Sequence, residues 1–132
     1  MKKILFVCTG NSCRSQMAEG LAKNLGWDAF SAGTKPEIEV SPNAIKAMTE
    51  INLDISNHYP KLVEEIELDK MDVIMTVCAS AGENCPVFPG FKGKKNHHSF
   101  DDPANATGND KEKFAVFCRV RDEIKDYLIK NL

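Results

Sequence analysis

Lys3-Ile4-Leu5-Phe6-Val7-Cys8-Thr9-Gly10-Asn11-Ser12-Cys13-Arg14-Ser15-Gln16-Met17-Ala18-Glu19-Gly20-Leu21-Ala22 decides the fold. Residues 3–7 form a short apolar run of β-formers, the signature of a strand buried on both faces. The run ends at Cys8, and Thr9-Gly10-Asn11-Ser12 is a polar loop. Met17, Ala18, Leu21, Ala22 and Leu25 then recur at helical spacing until Gly26, which sits where a C′ glycine ends a helix. The unit reads strand, loop, helix.

Working outward, residues 27–31 read as a second strand. Ser41-Pro42 reads as a helix N-cap with proline at N1, followed by the face Ala44, Ile45, Met48 and Ile51. Pro60 is expected to open a short acidic helix through Leu62, Val63 and Ile66. Residues 72–77 form the next buried strand, which runs into Cys78. Residues 79–96 carry Gly82, Pro86, Pro89, Gly90 and Gly93 without any period and read as a long mobile loop. Residues 97–100 read as a short fourth strand entering Asp101-Asp102-Pro103, and residues 111–130 as a last helix anchored by Phe114, Phe117, Ile124 and Leu128. Strands alternating with helices predict one α/β domain over residues 1–132, a four-stranded parallel sheet of flavodoxin-like topology with helices on both faces.

Composition narrows the function classes. The 132 residues are 42% apolar and 27% charged, and 17 basic against 19 acidic residues leave a formal charge of −2. No basic face for nucleic acid or an anionic membrane results. The apolar run after Met1-Lys2-Lys3 is four residues long, short of the roughly seven or more a signal peptide needs, and no run approaches the about 20 of a membrane span. The expectation is a cytoplasmic, monomeric protein.

Five cysteines is an odd count, a poor fit to a closed disulfide framework. Cys8 and Cys13 are separated by four residues, but the six between Cys78 and Cys85 exceed the usual zinc spacing and Pro86 crowds the pair, so no metal site is expected. His97 and His98 would face opposite sides of a strand, which also argues against a joint metal site. Cys118 reads as core or half-core packing. Lys92, Lys94 and Lys95 read as a solvated loop, with docking to an acidic redox partner as the alternative.

The chemistry concentrates in Cys8-x5-Arg14-Ser15. Between a buried strand and a helix, the backbone N–H groups of Thr9, Gly10, Asn11, Ser12, Cys13, Arg14 and Ser15 can form a concave cradle for a tetrahedral oxyanion, helped by the helix dipole. Gly10 permits close approach, and Asn11 tolerates the left-handed backbone such a loop needs. Arg14 adds a planar fork for two oxygens. The same positive field favours a Cys8 thiolate, and Ser15 can donate to that sulfur. Cys8 is therefore the expected nucleophile. Asp102, at the carboxyl end of the presumed fourth strand and hence on the same rim, is the expected general acid.

Residues 7–20, Ser31-Ala32-Gly33, Cys78-x6-Cys85-Pro86 and Phe100-Asp101-Asp102-Pro103-Ala104 resemble the low-molecular-weight protein tyrosine phosphatase fold. Within it they resemble the thioredoxin-coupled arsenate reductases, over nearly the whole chain. The resemblance implies Cys8 as nucleophile, Arg14 and the loop amides as oxyanion site, Asp102 as acid, Cys78 and Cys85 as a redox relay, arsenate as substrate and thioredoxin as reductant. No cofactor is implied. Some members bind potassium through residues matching Asn11, Glu19, Ser31 and a carboxylate near position 61; Lys61 stands there instead, and its ammonium is expected to replace the cation. Reducing arsenate needs two electrons, which thiols supply by becoming a disulfide. If the strands ending at Cys8 and Cys78 are neighbours, their ends lie about 5 Å apart, within disulfide reach. A phosphatase is the alternative, although that family usually carries tyrosines after the Asp-Pro pair where Ala104-Asn105-Ala106 stand here. A non-enzymatic redox or metal-sensing thiol module is the third reading.

Overall fold

Ile4, Leu5, Phe6 and Val7 have no exposed surface at all, and each stabilises the fold by roughly 2 kcal/mol on burial. They form β1, Lys3–Cys8, against which the rest of the sheet is registered. The computed structural model describes residues 2–77 and 88–132. β2, Asp28–Gly33, runs parallel to one side of β1 and β3, Val73–Thr76, to the other; β4, Lys94–His97, lies outside β3. The four parallel strands make one sheet in the order β2-β1-β3-β4, in a single α/β domain.

Side chains alternate across a strand, so β1 feeds two cores. Ile4, Phe6 and Cys8 pack with three helices: α1, Arg14–Asn24, α2, Pro42–Glu50, and α3, Asp110–Asn131. Leu5 and Val7 pack with Ile74, Val63, Leu68, Met71 and Phe88 on the opposite face. Helix boundaries follow the expected signals. Gly26 takes φ +95° just past α1. Pro42 opens α2, with Ser41 at the N-cap. At α3, Asn109 and Glu112 cap one another reciprocally.

Two expectations need correction. The segment after Pro60 is not a helix but two short 3-10 turns, Val63–Glu65 and Leu68–Lys70. Leu62 is held extended beside Gly33, whose N–H donates to Lys61 O at 2.7 Å, and that bridge prevents a helix from starting at Pro60. The three described helices pack on one face of the sheet, and these turns help to cover the other. β4 is not residues 97–100: it starts and ends three residues earlier, at Lys94 and His97, mostly within the expected loop, because its pattern is almost wholly exposed and carries no apolar alternation. Its register comes from β3, through pairs such as Thr76 with His97. The remainder of that presumed loop, residues 78–87 with Cys78 and Cys85, lies outside the described residues. Among the described residues no helix is long and apolar enough to cross a membrane.

Candidate active site

Cys8 ends β1 at the carboxyl edge of the sheet and is 2% exposed. Two donors converge on its sulfur. The Asn11 N–H reaches Sγ at 3.1 Å, and Ser15 Oγ lies 2.8 Å away. The direction of the second bond follows from its neighbours. Lys61 N–H donates to Asn11 Oδ1 at 2.9 Å, which turns Asn11 Nδ2 to donate to Ser15 Oγ at 2.7 Å. With a lone pair so occupied, the Ser15 hydroxyl has its proton free for the sulfur. Both donors favour the thiolate form of a nucleophile. Asn11 adopts φ +51°, the left-handed backbone expected of it.

Gly10 lies against Glu37, in the segment that follows β2. A Cβ there would meet Glu37 Cγ at 3.1 Å. Ser12 Oγ approaches Cys13 Sγ at 3.6 Å. Cys13 packs into the core, and burial pushes its thiol up, so it stays protonated and apart from the chemistry. Arg14 opens α1, and its guanidinium reaches the segment at residues 100–102. Nη1 donates to Phe100 O at 3.1 Å and Nη2 pairs with Asp102 Oδ2 at 3.3 Å. Asp102 is itself fixed by accepting from Ala104 N–H at 3.0 Å. The structure thus joins Cys8 to Ser15 within the loop 8–15 and ties that loop, through Arg14, to Asp102 in a distant segment of the chain.

Behind the loop stands a polar network in which the sequence reading assigned no role to Gln16 or His58. Gln16 Nε2 donates to Asn11 O at 3.0 Å and to Tyr59 O at 3.1 Å, so its Oε1 accepts from His58 Nδ1–H at 3.0 Å. Burial is the main force holding the His58 pKa below its ordinary value. Glu19 accepts from the Ser31 hydroxyl at 2.6 Å and pairs with Lys23 Nζ at 2.7 Å. The ammonium on Glu19 is therefore that of Lys23, whereas Lys61 Nζ donates to Tyr59 O at 2.8 Å. Ser15 to Ala22 are all buried. Polar residues inside a helix buried all round are the signal of this network, which an amphipathic reading hides because it assigns them to solvent.

Cys118 is half-buried against the core, as expected. The two adjacent histidines diverge: His97 Nδ1 bonds Thr76 Oγ1 at 2.6 Å, while the His98 ring packs against Tyr127 at 4.1 Å between centroids. Among the described residues no three His, Cys, Asp or Glu side chains are grouped to hold a metal.

The site is a buried thiol at the end of a parallel strand, contacted by a loop amide and a hydroxyl and followed directly by a helix that an arginine opens. The chain belongs to the low molecular weight phosphotyrosine protein phosphatase family, whose model matches residues 3–132. It is 52% identical over 126 residues to the arsenate reductase of Halalkalibacterium halodurans, covering 93% of this chain and 89% of that one. With the arsenate reductase of Bacillus subtilis it shares 48% identity over 130 residues, covering 96% and 92%. A solved arsenate reductase in its phosphate-binding state superposes with a TM-score of 0.79 at 34% identity, covering 98% of this chain and 95% of that one.

Proposed function

We propose that this chain reduces arsenate to arsenite through a thiol relay. The observation that carries the reading is the register of β1 on β3. Val77 N–H donates to Val7 O at 3.0 Å, so the segments running into Cys8 and Cys78 are hydrogen-bonded neighbours as far as Val7 and Val77. Cys8 attacks arsenic, and an arsenic–oxygen bond breaks as Asp102 protonates the departing oxygen, which leaves as water. The Cys78 thiolate then attacks Cys8 Sγ. The sulfur–arsenic bonding pair passes to arsenic, releasing arsenite and leaving a Cys8–Cys78 disulfide. Cys85 displaces Cys8 from Cys78, and thioredoxin reduces the Cys78–Cys85 pair.

The oxyanion is held by the amides of Thr9, Gly10, Asn11, Ser12, Cys13, Arg14 and Ser15 with the Arg14 fork. No cofactor takes part, and no potassium ion is required because the Lys23 ammonium already neutralises Glu19. Such a relay needs a reducing compartment, so the reading places the protein in the cytoplasm, as a monomer. An open cleft of about 520 Å³ borders the loop between Ser12, Cys13 and Ile38 on one side and Ala104 and Ala106 on the other. These alanines offer no aromatic grip to an aryl ester, which favours the reductase over a phosphatase.

Cys85→Ser tests the proposal. The variant should release about one arsenite per enzyme and stall as Cys8–Cys78, identified by peptide mass spectrometry, because two thiols hold the electrons for a single turnover. Aryl phosphate hydrolysis should stay near the parental rate. Repeated parental turnover of arsenate with thioredoxin would refute the relay.

A further inference from the structure

The oxyanion loop owes its inward-facing amides to hydrogen bonds made on its outer side. In a planar trans peptide the C=O of one residue and the N–H of the next point in opposite directions. A carbonyl held outward therefore turns the following N–H inward. Cys8 O accepts from Thr34 N–H at 3.2 Å, Thr9 O from Lys35 N–H at 2.9 Å, Gly10 O from Glu37 N–H at 2.8 Å and Ser12 O from Ser41 N–H at 2.9 Å. The remaining carbonyls are also taken, Asn11 O by Gln16 Nε2 at 3.0 Å and Cys13 O by the α1 amide of Met17 at 3.0 Å. The peptide between Gly10 and Asn11 checks the rule, since its outward carbonyl is bound by Glu37 and its N–H points at Cys8 Sγ.

We infer that residues 34–41 form a positioning strap for the reaction, and that the main-chain N–H of Glu37 in particular sets the affinity of the loop for its oxyanion. This inference rests on the reading of residues 8–15 as an oxyanion cradle. Gly10 and Asn11 flank the peptide that Glu37 holds. Were that peptide to rotate, the Gly10 carbonyl would turn its negative end toward the bound anion, and Cys8 would lose the Asn11 N–H at once. Pro36 and Pro42 lack an N–H and fall at positions where the strap donates nothing to the loop.

The test removes one donor without altering a side chain. Semisynthesis can replace the 36–37 amide with an ester, exchanging the Glu37 N–H for oxygen; Glu37→Pro is the simpler variant if it folds. One neutral hydrogen bond contributes about 1 kcal/mol, a factor of about five. Phosphate dissociation constants, measured calorimetrically, should rise roughly three- to tenfold, with kcat/KM for arsenate falling by a similar factor. The pH profile of Cys8 alkylation should move toward higher pH. Ile129→Ala, which alters only an exposed side chain on α3 outside the strap and the cleft, should leave all three readouts at the parental values. An ester variant that loses thermal stability yet binds phosphate as the parent does overturns the positioning role and leaves the strap merely structural. A parent chain that binds no phosphate overturns the cradle itself, and the strap's role with it.

Discussion

Gly33→Ala places a methyl group where the oxyanion loop has no room. A Cβ on Gly33 would lie 2.5 Å from Thr9 O, 3.0 Å from Asn11 Cβ and 3.2 Å from Asn11 N, whereas ordinary contact begins at 3.4 Å. Thr9 O must therefore retreat by about 0.9 Å, the difference between 3.4 and 2.5 Å. The strand cannot yield instead, because Gly33 is registered on Cys8 and its N–H is bonded to Lys61 O at 2.7 Å. Overpacking costs about 1–3 kcal/mol, and losing the Lys35 N–H to Thr9 O bond adds about 1 kcal/mol. The melting temperature should fall by roughly 5–15 °C. Activity should suffer more, since misplacing reacting groups by about 1 Å costs about a hundredfold. Arsenite production with a thioredoxin system gives kcat/KM, and calorimetry gives phosphate affinity. Gly26→Ala is the comparison: at φ +95° with nothing within 4 Å of its would-be Cβ, it pays about 1 kcal/mol of backbone strain and should keep parental activity. A Gly33→Ala protein within threefold of the parent in kcat/KM would refute the argument that this glycine makes way for the loop.

Other perturbations separate the parts of the site. Arg14→Lys keeps the charge but loses the fork that now spans Phe100 O and Asp102, and phosphate should bind about tenfold more weakly in competition assays. Asp102→Asn retains an oxygen for Ala104 N–H but has no proton to donate, so rapid-quench kinetics should show the first step slowed about a hundredfold with the later disulfide exchange unchanged. For His58 the folded pKa lies below the unfolded value of about 6.5. As pH drops through about 6.5 the unfolded chain takes up a proton that the folded chain refuses, so stability is lost toward acid. Urea unfolding at pH 7.5 and 5.5 should show a smaller acid loss in His58→Gln than in the parent.

The contrast between what was legible and what was not follows from which atoms carry the structure. In the proposed mechanism Cys8, Asn11, Arg14, Ser15 and Asp102 act through side chains or through a backbone angle that a side chain tolerates, so residue type and spacing reveal them. β1 and α1 are equally legible, because a buried apolar run and a helical stripe are local patterns. β4 is not, since Lys94-Lys95-Asn96-His97 is set by pairing with β3 and not by its own alternation. Nor is the extended segment at Leu62, where a bridge to Gly33 overrides a proline that would suit a helix start. The strap is the extreme case. Its donors at 34, 35, 37 and 41 are main-chain amides that any residue but proline supplies, so the sequence requirement reduces to no proline at those four positions and room beside the loop at Gly33. On the proposed reading the site is therefore specified twice, visibly by the groups assigned to the anion and almost silently by the backbone that turns their amides inward; only an account of every loop carbonyl recovers the second half.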